Sequence, residues 1–95
     1  MDKTLSLIGL AYRANKVYLG EQCLEHIREL HFLFIAADAS VKTRERYLKK
    51  CRYYHLDHCL DYSAKEISKA LGRNNIRIIG ISDEGFSRSI HASMN

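Results

Sequence analysis

The chain has 95 residues, of which 46% are hydrophobic and 27% charged, and it contains three cysteines and no proline. This length predicts one domain over residues 1–95, and the composition is typical of a soluble globular protein rather than a disordered one. Fifteen Lys and Arg residues against eleven Asp and Glu residues give a net charge of +4, which favours an anionic partner. The odd number of cysteines argues against a disulfide framework.

Neither a membrane span nor a secretion signal is predicted. The longest apolar run covers the six residues 32–37, far fewer than the roughly 20 that a transmembrane helix needs. Near the start of the chain, Asp2 places an acid where a signal peptide carries positive charge, and the apolar stretch that follows is broken at Arg13. We therefore expect a cytoplasmic protein with no membrane partner.

The first part of the chain alternates between helical and extended patterns. Residues 4–14 are apolar almost all round and predict a buried helix, in which Gly9 indicates the close approach of another backbone. Residues 16–19 predict a short extended segment, after which Gly20 opens a second helix. Residues 31–36 are aromatic-rich and too few for a helix, so they predict a buried central strand.

Residues 41–54 predict a third helix, capped by Ser40, with one apolar side and one basic side. The basic side lies in the most positive window of the chain, residues 42–52, which contains a single acid, Glu45. The six basic residues of this window are Lys42, Arg44, Arg46, Lys49, Lys50 and Arg52. Such a stripe is suited to a polyanion such as nucleic acid, although a face of Lys and Arg is more often simply solvated.

The last part of the chain continues the alternation. Residues 58–60 predict a second core strand, and Ser63 begins a capping box for a helix that ends at residue 71. Residues 76–81 predict a third strong strand, and Ser82 caps the last helix. Helices that alternate with short apolar strands predict a layered α/β domain with helices on both faces of a small sheet.

The cysteines and histidines suggest a zinc site only weakly. Cys23 and His26 have the spacing C-x-x-H, and a second cluster consists of Cys51, His55, His58 and Cys59. A structural zinc site needs ligands that converge from separate turns, and the usual C-x-x-C pair is missing. Cys51 and Cys59 fall on predicted apolar faces, where a thiol behaves as a small hydrophobic group. We therefore expect no metal and no cofactor.

No catalytic motif is present in the sequence. It contains no nucleophile elbow, no H-E-x-x-H pattern and no local partner that would activate a cysteine. We therefore expect a protein that is not an enzyme and has no small-molecule substrate.

Gly20 is the position where a ligand could approach the backbone most closely. A helix N-terminus offers unpaired N–H groups, and a glycine lets a phosphate or a base edge reach them. A plain N-cap glycine explains the same residue without a ligand. Of the six tyrosines, most are predicted to face the core, and only Tyr18, just before Gly20, is placed to join such a site.

Five sequence segments, in this order along the chain, resemble the ribosomal L-seven-Ae family in its bacterial YlxQ-type branch. They are LIGLAYRANK at residues 7–16, GEQ at 20–22, IAADAS at 35–40, ALG at 70–72 and SDEGF at 82–86. The resemblance implies a three-layer α/β/α sandwich around a four-stranded mixed sheet, the ribosomal L-thirty-e-like fold. It also implies a monomeric RNA-binding protein whose partner is a structured RNA, a kink-turn in rRNA or mRNA, and which is associated with the ribosome.

The resemblance further implies where RNA would bind. The implied residues lie around the start of the second helix and in the loop after Gly72: Lys16, Tyr18, Gly20, Glu21, Gln22, Cys23, His26, Arg73, Asn74 and Asn75. Gln22, Cys23 and His26 stand where archaeal and eukaryotic members have Asn, Glu and Lys. Two other interpretations stay open from the residues: a protein-interaction module on the same fold, and a small metal or redox protein.

Overall fold

The computed structural model describes residues 2–94, so the predicted domain bounds at Met1 and Asn95 lie outside the described residues. The α-helices are α1 (Lys3–Arg13), α2 (Gln22–Glu25), α3 (Val41–Tyr54), α4 (Ala64–Leu71) and α5 (Glu84–Ser93). The strands are β1 (Val17–Leu19), β2 (Phe32–Ile35), β3 (His58–Cys59) and β4 (Ile78–Ile81), and a 3-10 turn covers Ile27–Glu29. Within residues 2–94, no helix is long and apolar enough to cross a membrane.

The four strands form one mixed sheet in the order β1-β4-β2-β3. Strand β4 is antiparallel to both of its neighbours, and β2 runs parallel to β3. In this register Leu19 is opposite Ile79, so the end of β1 lies beside the start of β4. The four-stranded mixed sheet that the resemblance implied is confirmed.

Helices cover both faces of the sheet. Successive side chains of β2 point to opposite faces of the sheet. Phe32 and Phe34 pack against α1, α4 and α5 on one face, whereas Leu33 and Ile35 pack against α2 and α3 on the other. All four residues of β2 and of β4 are buried, as expected for strands covered on both faces. The predicted three-layer α/β/α sandwich is therefore confirmed.

Three local predictions agree with the structure. A Cβ atom added at Gly9 would lie 2.7 Å from the carbonyl oxygen of Ala70, so the backbones of α1 and α4 do meet there. Ser40 caps α3, since its hydroxyl accepts from the N–H of Thr43. Ser63 and Glu66 form the predicted capping box at the start of α4.

Outside the region around Gly20, four predictions of element position or burial were wrong. The N-cap of α5 is Asp83 and not Ser82, because the Asp83 carboxylate accepts from the N–H of Phe86 at 2.9 Å. Strand β4 begins at Ile78 and not at residue 76, because the N–H of Ile76 donates to the Ser68 hydroxyl at 2.8 Å instead of to a strand.

The other two concern burial. The predicted core strand at 58–60 is a two-residue edge strand in which His58 is exposed. Helix α1 is not buried all round, since Leu10 is 48% exposed. In both places the apolar pattern was right about one face of the element, and the neighbouring elements leave the other face open.

Candidate nucleic-acid interface

Gly20 lies at the turn that joins β1 to α2, in a left-handed conformation with φ +55°. Its N–H donates to the carbonyl oxygen of Ile78 at 3.0 Å, which fixes the turn against the start of β4. A Cβ atom added at Gly20 would meet no atom within 4 Å, so its outer side is open. This position needs glycine for its φ value and leaves room for a ligand at the backbone.

The second helix does not start at Gly20. Its N-cap is Glu21, its only turn is Gln22–Glu25, and the first hydrogen bond of the turn runs from the N–H of Cys23 to the carbonyl oxygen of Gly20. The N–H groups of Glu21 and Gln22 precede that bond, where a helix leaves its first N–H groups without a partner inside the helix, and the Gln22 side chain is exposed. Because peptide dipoles add along a helix, one turn supplies little positive potential, so the predicted attraction from a helix end is weak here.

Cys23 does not belong to the surface, although the resemblance placed it there. Its side chain is fully buried, and its thiol donates to the carbonyl oxygen of Tyr18 at 3.2 Å. Burial raises the pKa of the Cys23 thiol to about 12. Cys23 therefore anchors the turn to the core and offers nothing to a ligand.

Tyr18, His26 and Glu29 form one hydrogen-bonded group beside the turn. The rings of Tyr18 and His26 are stacked, with centroids 4.2 Å apart and an angle of 6° between their planes. Glu29 joins both rings: one carboxylate oxygen accepts from the Tyr18 hydroxyl at 3.0 Å, and the other lies 2.7 Å from Nδ1 of His26. These hydrogen bonds, first that from His26 and then that from Tyr18, hold the pKa of Glu29 below its usual range.

The turn after α4 carries the second predicted segment. Arg73, Asn74 and Asn75 are exposed, and Asn75 adopts a left-handed conformation with φ +58°. The guanidinium of Arg73 donates to the hydroxyl of Tyr12 at 2.9 Å, which directs it toward the end of α1. Because this turn leads into β4 and Gly20 is bonded to Ile78, both predicted segments lie at the same end of the sheet.

Lys16 lies at the opposite end of β1 from Gly20. Its carbonyl oxygen accepts from the N–H of Ser82, at the end of β4 that is remote from the Arg73 turn. Four residues of extended chain span about 13 Å, so the backbone of Lys16 is well separated from the turn at Gly20. Of the ten implied residues, Lys16 and Cys23 are the two that the fold places away from the common surface.

Two relatives match this chain over most of its length, although no family model matches it. The RNA-binding protein YlxQ of Enterococcus faecium is 35% identical over 90 residues, which are 92% of this chain and 86% of that protein. The chain belongs to the YlxQ family. The RNA-binding protein YlxQ of Bacillus subtilis is 29% identical over 87 residues, covering 88% of this chain and 87% of that protein.

Two solved structures have the same fold as this YlxQ-family chain. A protein of unknown function from Bacillus halodurans C has a TM-score of 0.93 at 30% identity and covers 99% of this chain and 98% of its own. The 15.5 kD RNA-binding protein of Giardia lamblia has a TM-score of 0.81 at 14% identity and covers 94% of this chain and 79% of its own. The second likeness concerns the fold alone, and it agrees with the predicted L-seven-Ae-type architecture.

Three further residues lie beside the candidate interface in this YlxQ-family domain, and none of them was among the ten residues implied for RNA binding. Glu29 organises Tyr18 and His26, and its spacing of three residues from His26 was the one available signal. Arg46 of α3 binds both carboxylate oxygens of Glu21, at 2.8 and 3.2 Å, across 25 residues of sequence. Arg77 is exposed directly before Ile78 and so lies between the two predicted segments. Arg46 belongs to the basic window 42–52, but nothing local in the sequence linked it to Glu21, and nothing local pointed to Arg77.

The candidate metal ligands Cys51 and Cys59 lie in the core of the domain. Cys51 and Cys59 are buried and unbonded to each other, and burial raises the pKa of both thiols, to about 11 for Cys51. Among residues 2–94, no three His, Cys, Asp or Glu side chains are grouped so that they could hold a metal ion. These thiols act as packing groups of the YlxQ-family core.

Proposed function

We propose that this YlxQ-family protein is a non-catalytic RNA-binding domain whose target is a structured RNA of the kink-turn type, in ribosomal or messenger RNA. The observation that carries the proposal is its 35% identity, over 92% of the chain, to a protein named for RNA binding. We further propose that the protein works in the cytoplasm as a monomer in association with the ribosome.

The turn at Gly20 supplies the hydrogen-bonding part of the proposed site. With no side chain at Gly20 and open space around it, an RNA groove can approach the N–H groups of Glu21 and Gln22. The Gln22 amide can both donate and accept, so it can pair with a base edge. Arg46 neutralises the Glu21 carboxylate, which removes the negative charge that would otherwise repel phosphates at the turn.

The charged part of the proposed site lies on the neighbouring turn. Arg77 directly precedes β4 and can contact phosphate oxygens at this end of the sheet, whereas the guanidinium of Arg73 is hydrogen-bonded to Tyr12 of α1. Asn74 and Asn75 add amide groups that suit either phosphate or base contacts. The stacked pair of Tyr18 and His26 borders the turn and supplies a flat surface of fixed orientation.

A titration of matched variants tests this proposal. Gly20→Asn keeps a residue that tolerates a left-handed backbone and fills the open space, so we expect weaker RNA binding in a folded domain. Gln22→Ala should cost about 1–3 kcal/mol of binding free energy if the amide pairs with a base edge. Ser89→Ala, at an exposed and uncharged position of α5 on the other face of the sheet, is the control and should bind as the parent protein does.

The RNA must be varied as well as the protein. Each variant is titrated against a kink-turn RNA and against the same RNA with its sheared G·A pairs converted to Watson–Crick pairs. We expect tighter binding to the kink-turn, and this preference should be lost in the Gln22→Ala variant. Equal affinity of the parent protein for the two RNAs would contradict kink-turn recognition. No affinity for either RNA would leave a protein-interaction module as the function of this fold.

A further inference from the structure

One flank of α3, outside the proposed interface, carries a row of exposed basic residues and one exposed tyrosine. Lys42, Arg46, Lys49, Lys50 and Tyr53 are all exposed, and together they are called the α3 stripe. At 100° per residue these five positions fall within about 100° of the helix circumference, and they extend about 17 Å along the axis. No acidic residue of α3 falls within this sector, and Glu45 lies about 40° outside its edge, one turn before Lys49.

Tyr53 is the unusual member of the α3 stripe. Its side chain is 76% exposed, which is more than any other large hydrophobic residue among residues 2–94. Its ring contacts Tyr54 edge to face, with centroids 4.8 Å apart and an angle of 75° between the planes. Tyr54 is half-buried, so it holds the Tyr53 ring while most of that ring remains open.

The charges around Tyr53 are available for a ligand. Arg46, Lys49, Lys50 and Arg52 line one shallow surface depression together with Tyr53. Within residues 2–94, Arg46 is the only one of these four that forms a salt bridge. An accessible aromatic ring among unpaired cations has the features of a surface for single-stranded nucleic acid, in which bases stack on the ring and phosphates meet the cations.

The α3 stripe is also continuous with the proposed RNA interface. Arg46 belongs to the stripe and binds the carboxylate of Glu21, which is the N-cap of α2 at that interface. Arg46 therefore connects the turn at Gly20 with the surface around Tyr53. A solvated face explains the lysines but not the aromatic ring held open among them.

We infer that the α3 stripe is a second RNA-contact surface, which binds an unpaired segment of RNA by stacking a base on Tyr53 and by phosphate contacts to Lys49 and Lys50. The choice of RNA as the ligand rests on the proposed function, but the surface and its residues are separate from the turn at Gly20. The sequence analysis placed most tyrosines in the core, and Tyr53 is the clear exception.

The test uses an RNA that cannot form a kink-turn. The full-length protein is titrated with an oligoadenylate of about 10 nucleotides, and with polyglutamate of matched charge as a polyanion without bases. We expect Tyr53→Ala to weaken oligoadenylate binding by about 5- to 10-fold and Tyr53→Phe to weaken it less than about 2-fold, since the ring face is kept. Polyglutamate should bind more weakly, and its binding should not depend on Tyr53.

Charge variants give the second measurement. Replacing Lys49 and Lys50 together by Gln should reduce the slope of log affinity against log salt by about 0.7 per lysine. The matched control replaces Lys3 and Arg88, exposed cations of α1 and α5, by Gln, and it should leave that slope unchanged. The inference is wrong if Tyr53→Ala binds oligoadenylate as tightly as the parent protein does. It is also wrong if polyglutamate binds as tightly as oligoadenylate, which would make the stripe a surface for an acidic polypeptide.

These outcomes are independent of those for the proposed interface. Oligoadenylate contains no G·A pair, so a failure of kink-turn recognition leaves the result at Tyr53 unaffected. Conversely, loss of binding at Tyr53 leaves the comparison of the two kink-turn RNAs intact.

Discussion

Tyr18, His26 and Glu29 come from three successive elements, and one carboxylate holds the two rings. Tyr18 is the middle residue of β1, His26 follows α2, and Glu29 ends the 3-10 turn. With both carboxylate oxygens in hydrogen bonds, the two rings are fixed parallel at 4.2 Å. A stack of fixed orientation loses less conformational entropy when a base or a sugar packs on it.

The two hydrogen bonds to Glu29 predict that its carboxyl group titrates at a lower pH than an ordinary glutamate. Because its folded-state pKa lies below the ordinary value of 4.5, the ionised carboxylate stabilises the fold fully above pH 4.5. That contribution is lost as the pH falls through the lowered folded-state pKa. NMR titration of the Glu29 side-chain carboxyl carbon should give a midpoint below 4.5. In Tyr18→Phe, which keeps the ring and removes one hydrogen bond, the midpoint should rise.

Glu25→Gln serves as the control for that titration, since it removes a nearby exposed carboxylate outside the group. It should leave the Glu29 midpoint nearly unchanged. A Glu29 midpoint at or above its ordinary value in the parent protein would show that the two hydrogen bonds do not persist in solution.

At the scale of elements, the contact between α1 and α4 limits how the two helices can be substituted. Gly9 allows the α1 backbone to approach the α4 carbonyl at Ala70. A methyl group there would stand 2.7 Å from that carbonyl oxygen, closer than Cβ atoms normally come to any heavy atom. The helices must separate to accept it, and the contacts of Leu5 and Ile8 with the core would loosen as a result.

We expect Gly9→Ala to lower the free energy of unfolding by about 1–2 kcal/mol, although alanine is the better helix former. The propensity gain of about 1 kcal/mol is smaller than the cost of overpacking, about 1–3 kcal/mol, together with the loosened contacts. Gly85→Ala in α5 is the matched control, because its Cβ atom would meet only the end of the Asp83 side chain, at 3.2 Å. Urea denaturation of both variants measures the difference, and equal or greater stability of Gly9→Ala would contradict the close approach.

At the scale of the whole molecule, the three free cysteines are distributed over both halves of the core. Cys23 and Cys51 lie in the layer of α2 and α3, and Cys59 lies on the other side of the sheet. Each is buried, and burial raises the pKa of each thiol. Since the thiolate is the reactive form, all three should react only when the domain opens.

We therefore expect the three thiols of the native protein to react with a disulfide reagent at least about 1,000-fold more slowly than those of the unfolded chain, as a domain of ordinary stability requires. Reaction of the native protein is compared with reaction in concentrated guanidinium. Rapid modification of one thiol in the native protein would favour the redox interpretation. One zinc ion per chain in native mass spectrometry, with loss of fold on chelation, would favour the metal interpretation.

Most of the fold could be predicted because its signals are local. The apolar runs at β2 and β4, the capping box at Ser63 and the close approach at Gly9 each depend on a few neighbouring residues. Those signals fixed the alternation of helices and strands and its layered arrangement. They did not predict the N-cap of α5, because Ser82 and Asp83 are both suitable capping residues and Asp83 makes the bond. They did not predict the start of β4 either, because the N–H of Ile76 donates to the Ser68 hydroxyl instead of to a neighbouring strand.

The order of helices and strands and the region around Gly20 could thus be predicted from local patterns and from the family resemblance, although several element bounds could not. Which side chains around Gly20 face outward depends on tertiary packing and is seen only in the structure. A helix of four residues has no period from which burial can be predicted, so the inward position of Cys23 had no local signal. The pairs Glu21 with Arg46 and Tyr12 with Arg73 join residues 25 and 61 positions apart. Such contacts follow from the strand order and from the faces on which the helices pack, which local patterns do not specify.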